Sequence, residues 1–410
     1  MSSLISLSSM TRAGALATWE EFLPQVKLYA WRRNDVEIGH RNVSRLSVAL
    51  RYRLLTEDEV IRDTQQKYSF KVAEKWLQEI CWRRYWKGWL EMRPQIWSEW
   101  RKRVSELRAN LPQKMLEHAD AVAAGRSGVA CMDLIARELI ETGYLHNHAR
   151  MWWASFWIHA EGLPWELGAD FFFRHLLDAD PASNTLSWRW VAGLQTPGKT
   201  YLVRLSNLEK YATATLLGDR SGSQRIADGM VKPAAQAVSA KPAQSPLPAY
   251  PTALGIIHER TGLWLHADDL SPEIGPLSAF TPVAVAAFTD EKTDREVFLL
   301  DPKRLTTLRK VTLDGLARAA THYRCPASLV ERDTLAEWAC SHQLTEVIAF
   351  TPTVGPMLDL VPSLSTELSM QGIKLTLIRR PSDAHAFALA GAGFFTFWEK
   401  MSQHLQQPLL

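Results

Sequence analysis

Fourteen of the seventeen tryptophans in this chain lie within its first 200 residues, and most sit in segments with a helical apolar period. In KVAEKWLQEICWRRYWKGWLEM, CMDLIARELIETG, NHARMWWASFWIHAEG, PWELGADFFFRHLLD and the shorter SRLSVALRYRLL, apolar residues recur at three- and four-residue spacing. A half-buried strand would alternate instead, and no convincing alternation occurs before residue 200. Pro94, Pro112, Gly125, Gly143, Pro164 and Pro181 punctuate the segments. The spacing predicts an all-α domain over residues 1–218.

The pattern then changes twice. Residues 219–250 (DRSGSQRIADGMVKPAAQAVSAKPAQSPLPAY) are rich in Ser, Gly, Ala and Pro without apolar periodicity, which predicts a flexible linker. Beyond it, TGLWLHA, PVAVAAF, REVFLL, EVIAF and IKLTLI have strand character. They alternate with helical stretches near residues 312–322, 334–342 and 359–371. Such alternation predicts a parallel, Rossmann-like α/β domain over residues 251–410. It carries no G-x-G-x-x-G or P-loop, and no repeat at a fixed period occurs.

A chain of 410 residues can hold two or three domains, and 46% hydrophobic with 22% charged residues excludes wholesale disorder. No uninterrupted apolar run reaches the roughly 18 residues of a membrane helix. The start, MSSLISLSSMTRAGALATW, lacks a basic stretch followed by a continuous apolar one, so a cytoplasmic location is expected. Cys81, Cys131, Cys325 and Cys340 form no C-x-x-C pair and are expected to be reduced core thiols rather than metal ligands or disulfides. The formal net charge is only +3, yet residues 27–110 hold 19 Lys and Arg against 11 Asp and Glu, a local excess of 8. Either a polyanion such as nucleic acid or a solvated helical surface accounts for that excess.

Four segments combine residue types that a bare core does not require. In TGYLHNHARM, His146, Asn147, His148 and Arg150 open a helix whose next turns look buried; binding or ordinary capping explains them. LLDADPASNTLSWRW ends a helix with Asp178 and Asp180, followed by Asn184, Trp188 and Trp190. That carboxylate pair alone fits metal binding or solvation. In WLQEICWRRYW, Glu79 and Trp82 share a helix face, either as a pocket wall or as part of an amphipathic helix. In NVSRLSVAL, Ser44 and Ser47 lie at a predicted helix start, where backbone N–H groups favour a phosphate and capping explains one serine more easily than two.

Taken together, these segments resemble the photolyase/cryptochrome family, specifically its helical flavin-binding domain. The likeness runs from about Tyr29 to Trp190 and includes G-R-S-G-x-x-x-M-D at Gly125 to Asp133, T-G-Y-L-H-N-H-A-R-M at Thr142 to Met151, and D-A-D-P-A-S-N-T-L-S-W-R-W at Asp178 to Trp190. It implies an all-α domain holding FAD in a bent form. By the same resemblance, Tyr29, Ser44, Leu46 and Ser47 line the ribityl and pyrophosphate end, with Val43 where a Thr is common. Asn147, Arg150, Asp178 and Asp180 surround the isoalloxazine and the folded-back adenine, and Asn184 faces flavin N5.

The resemblance further implies light-driven repair of cyclobutane pyrimidine dimers. The lesion, flipped out of the duplex at a cost of a few kcal/mol, enters a pocket walled by Trp82 and Trp190. Glu79 hydrogen-bonds the pyrimidine edge. Asn147 and Met151 fit the cyclobutane type rather than the (6-4) type, which has histidines there. Arg33, Arg83 and Arg204 match positions that meet DNA, while His148 replaces an Arg. Trp188 and Trp165 match the inner members of the tryptophan wire that photoreduces FAD, with Trp97 and Trp100 as candidates for the third.

The chain also departs from the family. The F-N-P segment expected after Trp190 is absent, and the family's α/β antenna domain, which ordinarily comes first, would here come last. TGLWLHADDL resembles that domain's W-F-R-x-D-L opening with His266 for Arg, and GAGFFTFWEKM resembles its close. The resemblance leaves open a folate, a deazaflavin or no antenna chromophore as a possible second cofactor; an α/β module of other function is the alternative. A cryptochrome-like photoreceptor binding FAD without repair is the second functional reading.

Overall fold

The computed structural model describes residues 10–195, 199–234, 242–255 and 260–407, with backbone only for Ile38 and Glu291. Its longer helices are α1 (Arg12–Phe22), α2 (Glu57–Lys67), α3 (Phe70–Glu91), α4 (Gln95–Asn110), α5 (Gln113–Ala123), α6 (Ala130–Thr142), α7 (Asn147–Ser155), α8 (Trp165–His175), α9 (Pro181–Val191), α10 (Pro302–Tyr323), α11 (Pro356–Met370), α12 (Pro381–Leu389) and α13 (Phe394–Gln406). By its contacts the chain separates into two units. The first contains Lys27–Arg45 and Gln95–Ala243; the second contains residues 10–26, Leu46–Pro94 and Gln244–Leu410.

In the first unit, α4 to α9 bury the aromatic residues that set the helical period, among them Trp97, Trp100, Trp152, Trp153, Trp157 and Phe173. Gly143 ends α6 with φ +69°, and a Cβ there would lie 2.5 Å from Leu177 Cγ, so both the turn and the close approach require glycine. Pro181, read as a break, instead opens α9 as its first residue, where its missing N–H costs nothing. α7 runs on into a π-helical turn, Phe156–Ala160. In the G-R-S-G run, Asp133 accepts hydrogen bonds from Ser127 N, Ser127 Oγ and Gly128 N and so clamps the turn before α6.

In the second unit, the Thr56/Glu59 capping box starts α2, and α3 runs for 22 residues with most of its second half buried. The expected helix SRLSVALRYRLL shrinks to Ser47–Arg51, because the chain turns at Arg53 with φ +51°. The sheet is wholly parallel, in the order β3-β2-β1-β4-β5, with β1 (Thr261–Leu265), β2 (Val285–Ala287), β3 (Ala327–Leu329), β4 (Glu346–Phe350) and β5 (Lys374–Ile378). This is the strand order of a doubly wound, Rossmann-like sheet. β1, β2 and β4 are buried throughout, which is why they read as continuous apolar runs.

REVFLL is not a strand. Asp290 caps a short helix, Glu291–Glu296, and Val297 and Leu299 beyond it are 57% and 51% exposed. The remaining strand comes from Ala327–Leu329, which is too short to show a period.

Of the expected linker, residues 219–234 lie against the first unit: Ser221 O accepts from Ala130 N, and Ala234 N donates to His159 Nδ1. Residues 244–250 lie against the second, where Ser245 N donates to Met92 O and Arg379 lies over the Tyr250 ring. Residues 235–241 are outside the described residues, as are 196–198 in the segment after Trp190 and 256–259 just before β1. All four cysteines are free thiols, but only Cys81 and Cys131 are buried; Cys340 is exposed, against the expectation of a core position. Among the described residues no helix is long and apolar enough to cross a membrane.

Candidate functional site

The candidate residues divide between the units. Tyr29, Arg33, Ser44, Asn147, His148, Arg150, Met151, Trp165, Asp178, Asp180, Asn184, Trp188, Trp190 and Arg204 belong to the first, and Leu46, Ser47, Glu79, Trp82 and Arg83 to the second.

In the first unit, the start of α7 and the turn before α9 are pinned together. Leu177 N donates to Gly143 O at 2.9 Å, and Arg150 donates from Nε to Leu145 O and from Nη2 to Asp178 Oδ2 at 2.8 Å. Asp178 is buried, so this guanidinium balances its charge. Two residues further, Asp180 caps α9 by accepting from Ser183 N, and Asn184 Nδ2 reaches α8 by donating to Ala169 O at 2.9 Å. The D-x-D pair thus has two distinct local jobs, one ionic and one capping.

Trp188 follows one turn along α9. Its six-membered ring fills a slot on α8 that exists because residue 168 is glycine; a Cβ there would lie 2.3 Å from Trp188 Cη2. Phe172 and Trp153 meet it edge-on at centroid distances of 5.0 and 6.2 Å. Trp165 is buried with the Arg189 guanidinium 5.9 Å from its ring, and Trp190 is half-buried 5.8 Å from Tyr201. The ring contact between Trp97 and Trp100 is 5.3 Å. The importance of Gly168 and Trp153 was missed in the sequence, where the only signal is a small residue opposite a tryptophan-rich helix.

His146 caps α7 with Nδ1, which accepts from His148 N. Burial pulls its pKa down to about 3, with help from His40 and His148. His148 is itself buried: its Nδ1 meets Asn34 O at 2.9 Å, its ring lies 4.3 Å from that of Trp152, and burial lowers its pKa. It is therefore neutral near pH 7 and offers no cation where the resemblance has an arginine. Asn147 is exposed, Met151 half-buried, and Arg204 exposed at the start of a short helix, Leu205–Tyr211. Tyr29, Arg33 and Ser44 are half-buried.

In the second unit, Leu46 rather than a serine occupies the N-cap of Ser47–Arg51, with no side-chain capping bond. A helix of five residues has little dipole to offer an anion. Ser47 Oγ is nevertheless buried with no hydrogen-bond partner among the described residues, as are Nε and Nη2 of Arg83. Arg83 lies 3.8 Å from the buried Glu57. The Ser47 hydroxyl and the Arg83 guanidinium thus each keep unused hydrogen-bonding capacity. Glu79, Trp82 and Arg83 lie on adjoining turns of α3 and are all half-buried. The Trp82 indole stacks on Phe394 with centroids 3.6 Å apart and planes inclined by 6°.

The α/β part presents its own crevice at the carboxyl ends of β1 and β4, where doubly wound sheets ordinarily bind ligands. Here it is filled by side chains. Asp268 accepts from Arg51 and from Thr353 N, while Asp269 accepts two hydrogen bonds from Arg380 and one from Arg53. Arg53 also reaches Asp383 at 2.6 Å, and Arg379 pairs with the buried Glu91. Burial alone would lower the Arg53 pKa, but Asp383, Glu57 and Asp269 outweigh it and raise it. The same balance holds the Asp269 carboxyl below its usual range.

Residues 76–215 match the family described as the FAD binding domain of DNA photolyase. The match takes in Glu79 through Arg204; Tyr29, Arg33, Ser44, Leu46, Ser47 and the whole α/β part lie outside it. The deoxyribodipyrimidine photo-lyase of Streptomyces griseus is 32% identical over 168 residues, covering 40% of this chain and 36% of that protein. The Neurospora crassa protein of the same name is 29% identical over 196 residues, covering 46% and 31%. The chain thus spans about a third of the length of these relatives. A crystal structure of a bacterial class III photolyase from Agrobacterium tumefaciens aligns at 25% identity and a TM-score of 0.42, covering 49% of this chain and 42% of that one. Residues 76–215, which hold the Arg150–Asp178 pair, the Asn184 anchor and the Trp188 slot, are thus similar to the FAD binding domain of DNA photolyase.

Proposed function

We propose that this protein is an FAD-dependent, blue-light-driven lyase that repairs cyclobutane pyrimidine dimers in DNA, acting in the cytoplasm. The observation that carries the reading is the ionic pair of Arg150 with the buried Asp178, beside an Asn184 fixed to α8, within a segment that matches a flavin-binding family. When bound, reduced and light-excited FAD supplies the electron that opens the dimer and receives it back.

The chain's own residues do the rest. Arg150, Asp178 and Asp180 hold and charge-balance the flavin, with Asn147 and Asn184 near its ring system. Tyr29, Ser44, Leu46 and Ser47 hold the ribityl and pyrophosphate end. Trp82 and Trp190 wall the lesion pocket, where aromatic stacking on a base is worth about 1–3 kcal/mol. Glu79 hydrogen-bonds the pyrimidine edge, and Met151 packs beside it. Arg33, Arg83 and Arg204 meet phosphates, so binding weakens as salt rises. Trp188 and Trp165 pass electrons when the flavin is photoreduced. Residues 251–410 form an antenna-like module placed behind the flavin domain, with a folate or deazaflavin as its possible pigment, and ion pairs to Arg51, Arg53 and Glu91 tie it to residues 46–94.

A cryptochrome-like photoreceptor is the second reading, favoured by His148, which is buried and neutral where a repair enzyme presents a cation. One experiment separates the two. The purified protein is prereduced and incubated with dimer-containing oligothymidine under blue light, and thymine absorbance is followed. Recovery of absorbance in light but not in darkness is expected, with Glu79→Ala and Trp190→Ala losing recovery more than flavin content. A flavin-loaded protein that photoreduces yet restores no thymine would overturn repair in favour of sensing, and a protein that takes up no FAD would overturn both.

A further inference from the structure

We propose that Phe394 is a positioning residue for lesion recognition: it fixes the plane of the Trp82 indole so that the ring's other face is presented to a flipped-out base. The inference rests on the repair reading above. Its starting point is the parallel stack of Trp82 on Phe394, with centroids 3.6 Å apart and planes inclined by 6°.

The two rings are not equivalent. Phe394 is 5% exposed and packs against Tyr85, Phe397 and Trp398 at centroid distances of 5.5, 5.8 and 6.5 Å. Trp82 is only half-buried. Phe394 is thus embedded in the core of its unit, while the tryptophan keeps accessible surface. Tyr85 meets Trp82 edge-on at 5.4 Å and Trp86 meets it at 5.0 Å, so the indole is also braced from the next turn of its own helix.

The backbone leading into α13 is held as firmly. Tyr85 Oη donates to Ala392 O at 2.9 Å, and Arg93 donates to Gly391 O at 3.0 Å. Both donors come from α3 and its immediate extension, the same stretch that carries Trp82. The first turn of α13 therefore moves with α3, which makes Phe394 a fixed support rather than a lid.

The physical consequence is preorganisation. An indole already clamped on one face has no rotamer freedom left to lose when a base stacks on the other. Phe394→Leu stays apolar but removes the flat face. It should weaken binding to dimer-containing oligothymidine roughly 3- to 10-fold, with flavin absorbance near wild type and a Tm lowered by the smaller side chain in a buried position. Phe394→Tyr should restore tight binding, which a purely space-filling role would not require, and Phe394→Met serves as the non-planar variant should the leucine form fail to fold.

Binding is measured as Kd for dimer-containing and for intact oligothymidine in darkness. Unchanged or tighter binding of the dimer by folded Phe394→Leu or Phe394→Met would overturn the proposal. A wild-type protein that does not distinguish dimer from intact strand would overturn the repair reading, and this proposal with it.

Discussion

Asp178 accepts a 2.8 Å hydrogen bond from the guanidinium of Arg150, 28 residues earlier in the chain, and the same guanidinium holds Leu145 O. One side chain thereby fixes the entry to α7 against the turn before α9. Arg150→Ala removes the countercharge of a buried carboxylate, a change that costs up to about 3–5 kcal/mol when a pair is fully buried. Arg150 retains 24% of its side-chain exposure, which places the expected loss at the lower end. The protein should melt earlier and lose most of its flavin, read as the ratio of flavin to protein absorbance. Arg150→Lys should fall between, since an ammonium keeps the charge but not the two-point grip. Full flavin occupancy in Arg150→Ala would refute the cavity assignment.

Gly168 and Trp188 provide a second test. A methyl group at residue 168 would stand 2.3 Å from Trp188 Cη2, so Gly168→Ala must displace the indole from its slot. Overpacking of this kind costs about 1–3 kcal/mol. Photoreduction of FAD should slow together with the fall in stability, because the ring that passes the electron has moved. Trp188→Phe should block photoreduction yet leave repair by chemically prereduced protein largely intact. Equal losses of both activities in Trp188→Phe would remove Trp188 from the electron path.

These pairs mark how far the sequence could be read. The helices of the first unit were legible because their aromatic residues repeat at the helical period, and the D-x-D and T-G-Y-L-H-N-H-A-R segments stood out because their polar groups interrupt it. The end of SRLSVALRYRLL was not legible: the chain turns at Arg53 while its guanidinium bonds Asp269 and Asp383, which lie 216 and 330 residues away. REVFLL has strand-like residues, but its first two end the short helix capped by Asp290 and the rest follow it without forming a strand. GAGFFTFWEKM shows an aromatic cluster, yet nothing local says that Phe394 will meet Trp82. For Arg53 and Phe394 the deciding partner is remote in sequence.

The cluster around Arg53 predicts a specific acid response. Arg53→Leu removes one guanidinium from Asp269, Asp383 and Glu57, all buried, whereas Arg380 still holds Asp269. Losing one partner of such a network costs about 3–5 kcal/mol. In the wild type Glu57 and Asp269 are held below their usual range, so the contribution of these groups is complete above pH 4.5 and is lost as pH falls further. Without Arg53 that acid loss should be smaller, so urea melts of both proteins at pH 6 and pH 3 provide the measurement, and a variant destabilised equally at both would contradict the assignment.

His146 predicts acid sensitivity of the first unit. Its Nδ1 can cap α7 only while it is unprotonated, because it accepts the bond from His148 N. Burial, with His40 and His148 nearby, pulls its pKa from 6.5 to about 3. Between those values the unfolded chain holds a proton that the folded chain does not, so stability is complete above pH 6.5 and is lost progressively as pH falls. His148, lowered in the same direction, adds to the slope, while Arg150 and Arg33 oppose a second positive charge beside the ring. His146→Asn keeps a good N-cap, a contact worth about 1 kcal/mol, but carries no titrating group. Its Tm near pH 7.5 should stay close to wild type and then fall less steeply towards pH 5. Parallel Tm profiles for the two proteins would show that His146 does not govern the acid response.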